Sequence, residues 1–90
     1  MKKMDIRRGV SDALDLPKEI MLDLPLISLT GREEITVENH KGILTYGEES
    51  IRVGTKAGIL CIRGQDLGLK QLTAEVLVIT GKLVALEFLT

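Results

Sequence analysis

Two hydrophobic rhythms divide the chain near Pro25. In residues 1–24, Ile6, Val10 and Leu14 fall at i, i+4 and i+8, the spacing of one helical face. Gly9 weakens such a helix by about 1 kcal/mol relative to Ala. Asp15 is a good N-cap residue, Pro17 suits a first turn and Glu19 follows, so a second short helix is predicted over P-K-E-I-M-L-D, ending before Pro25.

After Pro25 the period changes to two. Leu26 to Thr30 ends at Gly31. Glu34 to Glu38 places Ile35 and Val37 on one face and charges on the other. Asn39-His40-Lys41-Gly42 is turn chemistry, because Asn and Gly tolerate positive φ. Ile43 to Tyr46 and Ser50 to Val53 follow, with turns at Gly47-Glu48-Glu49 and Gly54 to Gly58. Ile59 to Arg63 is apolar nearly throughout, as in a strand buried on both faces. Leu67 to Lys70, Glu75 to Thr80 and Leu83 to Leu89 complete a set of about eight short strands with a turn signal in each gap.

No gap holds a crossover helix, which excludes parallel βαβ units. The pattern predicts one structural domain: a helical segment over 1–24, then an all-β part over 25–90 built as a meander, sandwich or small barrel. A β-solenoid competes, since Gly recurs, but no fixed repeat period is present.

Composition narrows the function. Leu, Ile and Val supply 30 of the 90 residues, enough for a core without staples, and a single Cys excludes an internal disulfide. The net charge is −1, with no cationic surplus to release phosphate counterions. Only Tyr46 and Phe88 could stack on bases, so no nucleic-acid partner is expected. No apolar run reaches the roughly 18 residues of a membrane span. The basic start is interrupted by Asp5 and lacks an apolar region after it, unlike an ordinary signal peptide. Charges in 1–24 balance at five basic and five acidic, which favours a domain cover over a membrane anchor.

Chemistry finds little to use. A catalytic Cys needs a base, and His40 lies in a predicted turn while Cys61 sits between Leu60 and Ile62. Cys61 therefore reads as a core residue with an inert thiol. Two Cys or His residues in total cannot make a structural zinc site, and no metal or cofactor is expected. The acidic pairs Glu33-Glu34 and Glu48-Glu49 sit at turns. Gly54-Thr55-Lys56-Ala57-Gly58 lacks the spacing and the helix of a phosphate loop. No motif argues for an enzyme.

Two stretches carry a resemblance. Glu38-Asn39-His40-Lys41-Gly42-Ile43 and Ile62-Arg63-Gly64-Gln65-Asp66-Leu67, with L-D-L-P-K-E-I-M-L-D-L-P at 14–25, L-T-G at 29–31 and G-K-L-V-A-L-E-F at 81–88, resemble the YabP/YqfC family of sporulation proteins. The L-D-L-P-K-E opening favours the YqfC-like branch. The resemblance implies an immunoglobulin-like antiparallel β-sandwich. It also implies a small non-enzymatic protein of the mother cell, needed for endospore formation, with a membrane protein encoded nearby as its partner. Such a protein is cytoplasmic, or peripheral at the forespore membrane, with no span of its own. The family offers no catalytic residues. Glu38, Asn39, His40, Gly42, Arg63, Gly64, Gln65 and Asp66 carry over only as candidate structural or contact positions.

Two other readings stand beside this one. Leu83 to Leu89 is a terminal strand with one charge to blunt an edge, so the chain could self-assemble into a structural protein of the spore envelope. Arg63 offers a planar fork for carboxylates or phosphates, so the loop from Arg63 to Asp66 could bind a small ligand. The favoured reading makes that loop a connection between strands. Gly64 would then take a conformation other residues avoid, Arg63 would pair with Asp66, and Leu67 and Leu69 would point inward.

Overall fold

The structure, a computed structural model, describes residues 23–89. The helices expected in the N-terminal segment lie outside the described residues. The period-two stretches form β1 (Leu26–Thr30), β2 (Glu34–Glu38), β3 (Ile43–Tyr46), β4 (Ser50–Thr55), β5 (Gly58–Leu72) and β6 (Val76–Leu89). They make one open sheet in the order β1-β2-β6-β5-β4-β3. Every pairing is antiparallel. The architecture is therefore mainly β, as expected, but its strands form a single sheet rather than the two of an immunoglobulin-like sandwich. Among the described residues β1 and β3 are free edges, so no barrel closes there, and antiparallel neighbours do not build solenoid coils.

Six strands replace the expected eight because two supposed turns are bends inside long strands. Arg63 to Asp66 lies within β5, and Gly81-Lys82 lies within β6. The two stretches face each other, with Gly64 opposite Leu83, Gln65 opposite Lys82 and Gly68 opposite Thr80. Register shifts fall at Arg63/Gly64, Gln65/Gly68 and Leu69/Gln71, so the hairpin is bulged on both sides of its middle. Bulges bend and twist a strand, and glycine within a strand marks such places.

The glycines act by different means. Gly64 does not adopt the positive φ expected of it; Asp66 does, at 54°. What Gly64 supplies is closeness, since a Cβ there would collide with the carbonyl oxygen of Lys82. Gly81 has φ 140°, and a Cβ on it would meet the Asp66 carbonyl oxygen at 2.8 Å. The only true turn of this hairpin is at Thr73-Ala74-Glu75. There the Thr73 hydroxyl accepts the backbone N–H groups of Val76 at 2.9 Å and Glu75 at 3.3 Å.

The bend gives the sheet its core. Ile35 and Val37 of β2, Leu77 and Ile79 of β6, Leu60 and Ile62 of β5, and Ile51 and Val53 of β4 are all buried in one cluster, with Leu67 and Leu83 at the bend. Register places them on one face: Ile35 lies opposite Ile79, Val37 opposite Leu77, Ile51 opposite Ile62 and Val53 opposite Leu60. β2 and β4 are not neighbours in the sheet, yet their inward residues share a core and are 0% exposed. Among the described residues, the sheet folded over its own face brings these side chains together. Each aliphatic side chain so buried contributes about 1.5–3 kcal/mol. Leu67 points inward as expected, whereas Leu69 sits at the rim and is 39% exposed.

Cys61 is buried but does not belong to this core. It alternates with Leu60 and Ile62 and lies opposite Arg52 and Glu87, on the sheet's other face. Its thiol is 3.8 Å from the Ser50 hydroxyl. The apolar run around it misplaced it, because continuous hydrophobicity hides which residues share a face.

Candidate functional site

Glu38 to Gly42 carry the chain from β2 to β3. Glu38 closes β2, opposite Leu26 on one side and Val76 on the other. Asn39 takes a left-handed φ of 64°, which Asn tolerates better than most residues. Its backbone N–H donates to the Glu75 carbonyl at 2.8 Å, and its side-chain Nδ2 donates to the Leu24 carbonyl at 3.0 Å. His40 is buried. Its Nδ1 accepts the Gly42 N–H at 2.9 Å, and its Nε2 lies 2.9 Å from the Thr73 carbonyl oxygen. A backbone N–H can only donate and a carbonyl can only accept, so the ring is neutral with its proton on Nε2.

The same loop reaches further. Lys41 N–H donates to the Gly54 carbonyl at 2.7 Å, and Gly54 N–H returns a bond to the Gly42 carbonyl at 2.8 Å. Lys41 Nζ is 2.6 Å from Asp23 Oδ2, and this hydrogen bond holds the Asp23 carboxyl below its ordinary range. The stretch therefore ties together the start of β1, the tip of the β5–β6 hairpin and the end of β4. A turn His was expected; the structure makes it a buried joint.

Arg63 to Asp66 occupy the bend. Arg63 does not pair with Asp66. Its guanidinium bonds the Glu87 carboxylate on the neighbouring strand, and that hydrogen bond raises its already high pKa. The misplaced expectation follows from reading a turn: once β5 continues through the stretch, the groups near Arg63 are those across the sheet. Gly64 N–H donates to the Glu49 carbonyl at 3.1 Å and Leu67 N–H to the Glu48 carbonyl at 2.9 Å, so the β3–β4 turn braces the bend. The Gln65 and Asp66 side chains are exposed. The ligand-binding reading of this loop loses its main group to Glu87.

The two stretches thus occupy different joints, and Cys61 and His40 have separate partners. Among the described residues no group of three or more His, Cys, Asp or Glu side chains is placed to hold a metal ion. No helix among them is long and apolar enough to cross a membrane.

Two features escaped the sequence. Arg32, in the β1–β2 turn, donates from Nε and Nη2 to the Leu83 carbonyl at 3.2 Å each, and its own carbonyl accepts the Leu83 N–H at 2.8 Å. Nothing in its local pattern signals a contact 51 residues away. Beside this clasp, Leu29, Gly31, Arg32 and residues 83–86 line an open, mainly apolar groove of about 290 Å³. Its Leu29 and Val84 are 54% and 61% exposed.

A small β-module results, one antiparallel sheet bent over its own face and stitched at two motif-bearing joints. The chain belongs to the YabP family, whose model matches residues 24–90. It is also 30% identical over 87 residues to the protein titled "Uncharacterized protein YqfC" of Bacillus subtilis (strain 168), covering 97% of this chain and 94% of that relative.

Proposed function

We propose that this chain is a non-enzymatic sporulation protein. It acts in the mother cell of an endospore-forming bacterium as a binding or scaffolding module for a membrane-protein partner. The observation that carries the reading is membership of the YabP family over residues 24–90. The internal use of the motif groups supports it. Both ring nitrogens of His40 are engaged, and Arg63 is held by Glu87. Groups spent on holding the fold suit a protein whose work is contact rather than chemistry, and they leave the free strand edges as the contact surfaces. The protein is then peripheral at the forespore membrane, held there by its partner.

A fluorescently tagged chain imaged in sporulating cells tests this. Signal should ring the forespore and become diffuse in the mother cell when the gene for the neighbouring membrane protein is deleted. Signal confined to the forespore interior, or a ring unchanged by the deletion, overturns the reading.

A further inference from the structure

The C-terminal half of β6 is bonded on one side only. β2 pairs with β6 from Val76 to Thr80 and then ends, while β5 continues alongside to Leu89. From Val84 onward the opposite edge of β6 therefore carries no strand among the described residues. This edge bears two of the exposed large apolar side chains, Val84 and Phe88, the latter 45% exposed. Its one charge, Glu87, is engaged by Arg63. The comparable free edge of β5, from Gly68 to Leu72, is guarded by a bulge at Leu69/Gln71 and by Lys70, devices that discourage edge pairing. The β6 edge has its bulge at Val84, between Leu83 opposite Gly64 and Ala85 opposite Arg63, and its register with β5 then runs unbroken from Ala85 to Leu89.

We infer that this edge pairs with the same edge of a second copy of the chain, antiparallel about a two-fold axis at Leu86, with Phe88 of each copy seated over the groove of the other. Register selects this arrangement. A shift of one residue turns the apolar face of one strand onto the polar face of its partner. Only registers centred on a residue therefore keep Val84, Leu86 and Phe88 on a shared face. Centring on Glu87 sets that carboxylate opposite its own copy, and like charges directly opposite destabilise a sheet. Centring on Ala85 places Phe88 against Lys82. Centring on Leu86 places Leu86 on Leu86, Phe88 on Val84 twice, and Glu87 on Ala85.

The groove agrees with that register. It is lined by Val84, Leu86 and Leu29, and Val84 is the residue Phe88 of the other copy would face. At about 290 Å³ it lies just below the roughly 300–1,000 Å³ typical of small-molecule pockets, a size suited to receiving a side chain. Aromatic anchors seated in pockets carry a large share of interface energy. The pairing is isologous, so it closes as a dimer and does not propagate into fibres. The inference stands on edge geometry and is independent of the sporulation reading.

Sedimentation equilibrium on the full chain tests it. The mass should rise from 9.9 kDa to about twice that over a concentration series reaching the millimolar range. Phe88→Ala should weaken the dimer about tenfold or more, and Val84→Lys, at an exposed position, should abolish it, with thermal melts confirming that both variants fold. Register is read by mixing two single-cysteine additions under mild oxidation. Val84→Cys with Phe88→Cys should cross-link far more than either variant alone, with the unaltered chain as the blank for Cys61. A chain that stays monomeric throughout, a dimer indifferent to both surface variants, or cross-linking no better in the mixture than in the separate samples each overturns the inference.

Discussion

Gly64 of β5 lies against the backbone of Lys82 in β6, closer than any side chain would allow. Gly81 on the facing strand is also confined, though less tightly, with its missing Cβ 2.8 Å from the Asp66 carbonyl oxygen. The two glycines let the long hairpin bend where its strands cross most tightly. Without the bend, the inward residues of β2 and β4 could not share one core.

Gly64→Ala should therefore destabilise the fold strongly. The collision is with backbone, which cannot swing aside as a flexible side chain would, so the cost should reach at least the upper part of the 1–3 kcal/mol range of overpacked sites. Gly68→Ala is the control. Its nearest neighbour, the Thr80 hydroxyl oxygen at 3.8 Å, is in ordinary contact range. Chemical denaturation of the two variants should separate them clearly, with Gly68→Ala within about 1 kcal/mol of the parent. Equal midpoints would mean that the hairpin does not bend at Gly64.

His40 yields a prediction about a joint. Truncation to Ala removes the acceptor of the half-buried Gly42 N–H and the donor to the Thr73 carbonyl, and it empties the buried site of the ring. A typical hydrogen bond contributes about 0.5–1.5 kcal/mol net, so the loss should be visible in a melt. The ring itself should show the pattern of a neutral imidazole protonated on Nε2 in nitrogen-detected NMR at neutral pH. A proton on Nδ1 would contradict the bond from Gly42.

These two sites show what the sequence made legible. The alternation of Ile35 and Val37 defined β2 to the residue, and β1 and β3 were equally clear, because each is short and bounded by Pro, Gly or Asn. The bend was not legible. A glycine that ends a strand and one that lets two strands touch look alike in one dimension, and only the facing position of Gly64 and Leu83 tells them apart. The same blindness paired Arg63 with Asp66, which is near in sequence, instead of Glu87, which is 24 residues away. His40 reads as a turn residue; it lies in the β2–β3 connection, and its burial depends on the hairpin tip at Thr73, which no local pattern reveals. The resemblance named the family and marked both joints without saying that they are joints.

Asp23 carries a pH prediction. Its carboxyl is held below the ordinary aspartate range, first by the hydrogen bond from Lys41. The sign follows: the ion pair favours the folded state above the unfolded aspartate value, and that contribution is lost as pH falls through the lower folded value. Carbon-detected titration should place the Asp23 midpoint below that of a model aspartate. Lys41→Met should raise it toward the ordinary value. Because both side chains are about half exposed, high salt should shrink the shift.

Arg63 and Cys61 share the outer face of β5 and should behave oppositely to Gly64. The Arg63–Glu87 pair is well exposed, its side chains 49% and 46% accessible, and exposed ion pairs contribute little to stability. Arg63→Gln should leave the melting transition nearly unchanged. Cys61 is only 3% exposed, so the thiol should react slowly with an aromatic disulfide reagent in the native protein and rapidly once it unfolds. Arg52 and Glu87 lie opposite it on the neighbouring strands, and the Arg63 side chain hydrogen-bonds with its thiol. Arg63→Gln should therefore quicken native-state labelling of Cys61 while leaving stability alone. If labelling stays slow in Arg63→Gln, the neighbouring strands rather than the arginine shield the thiol.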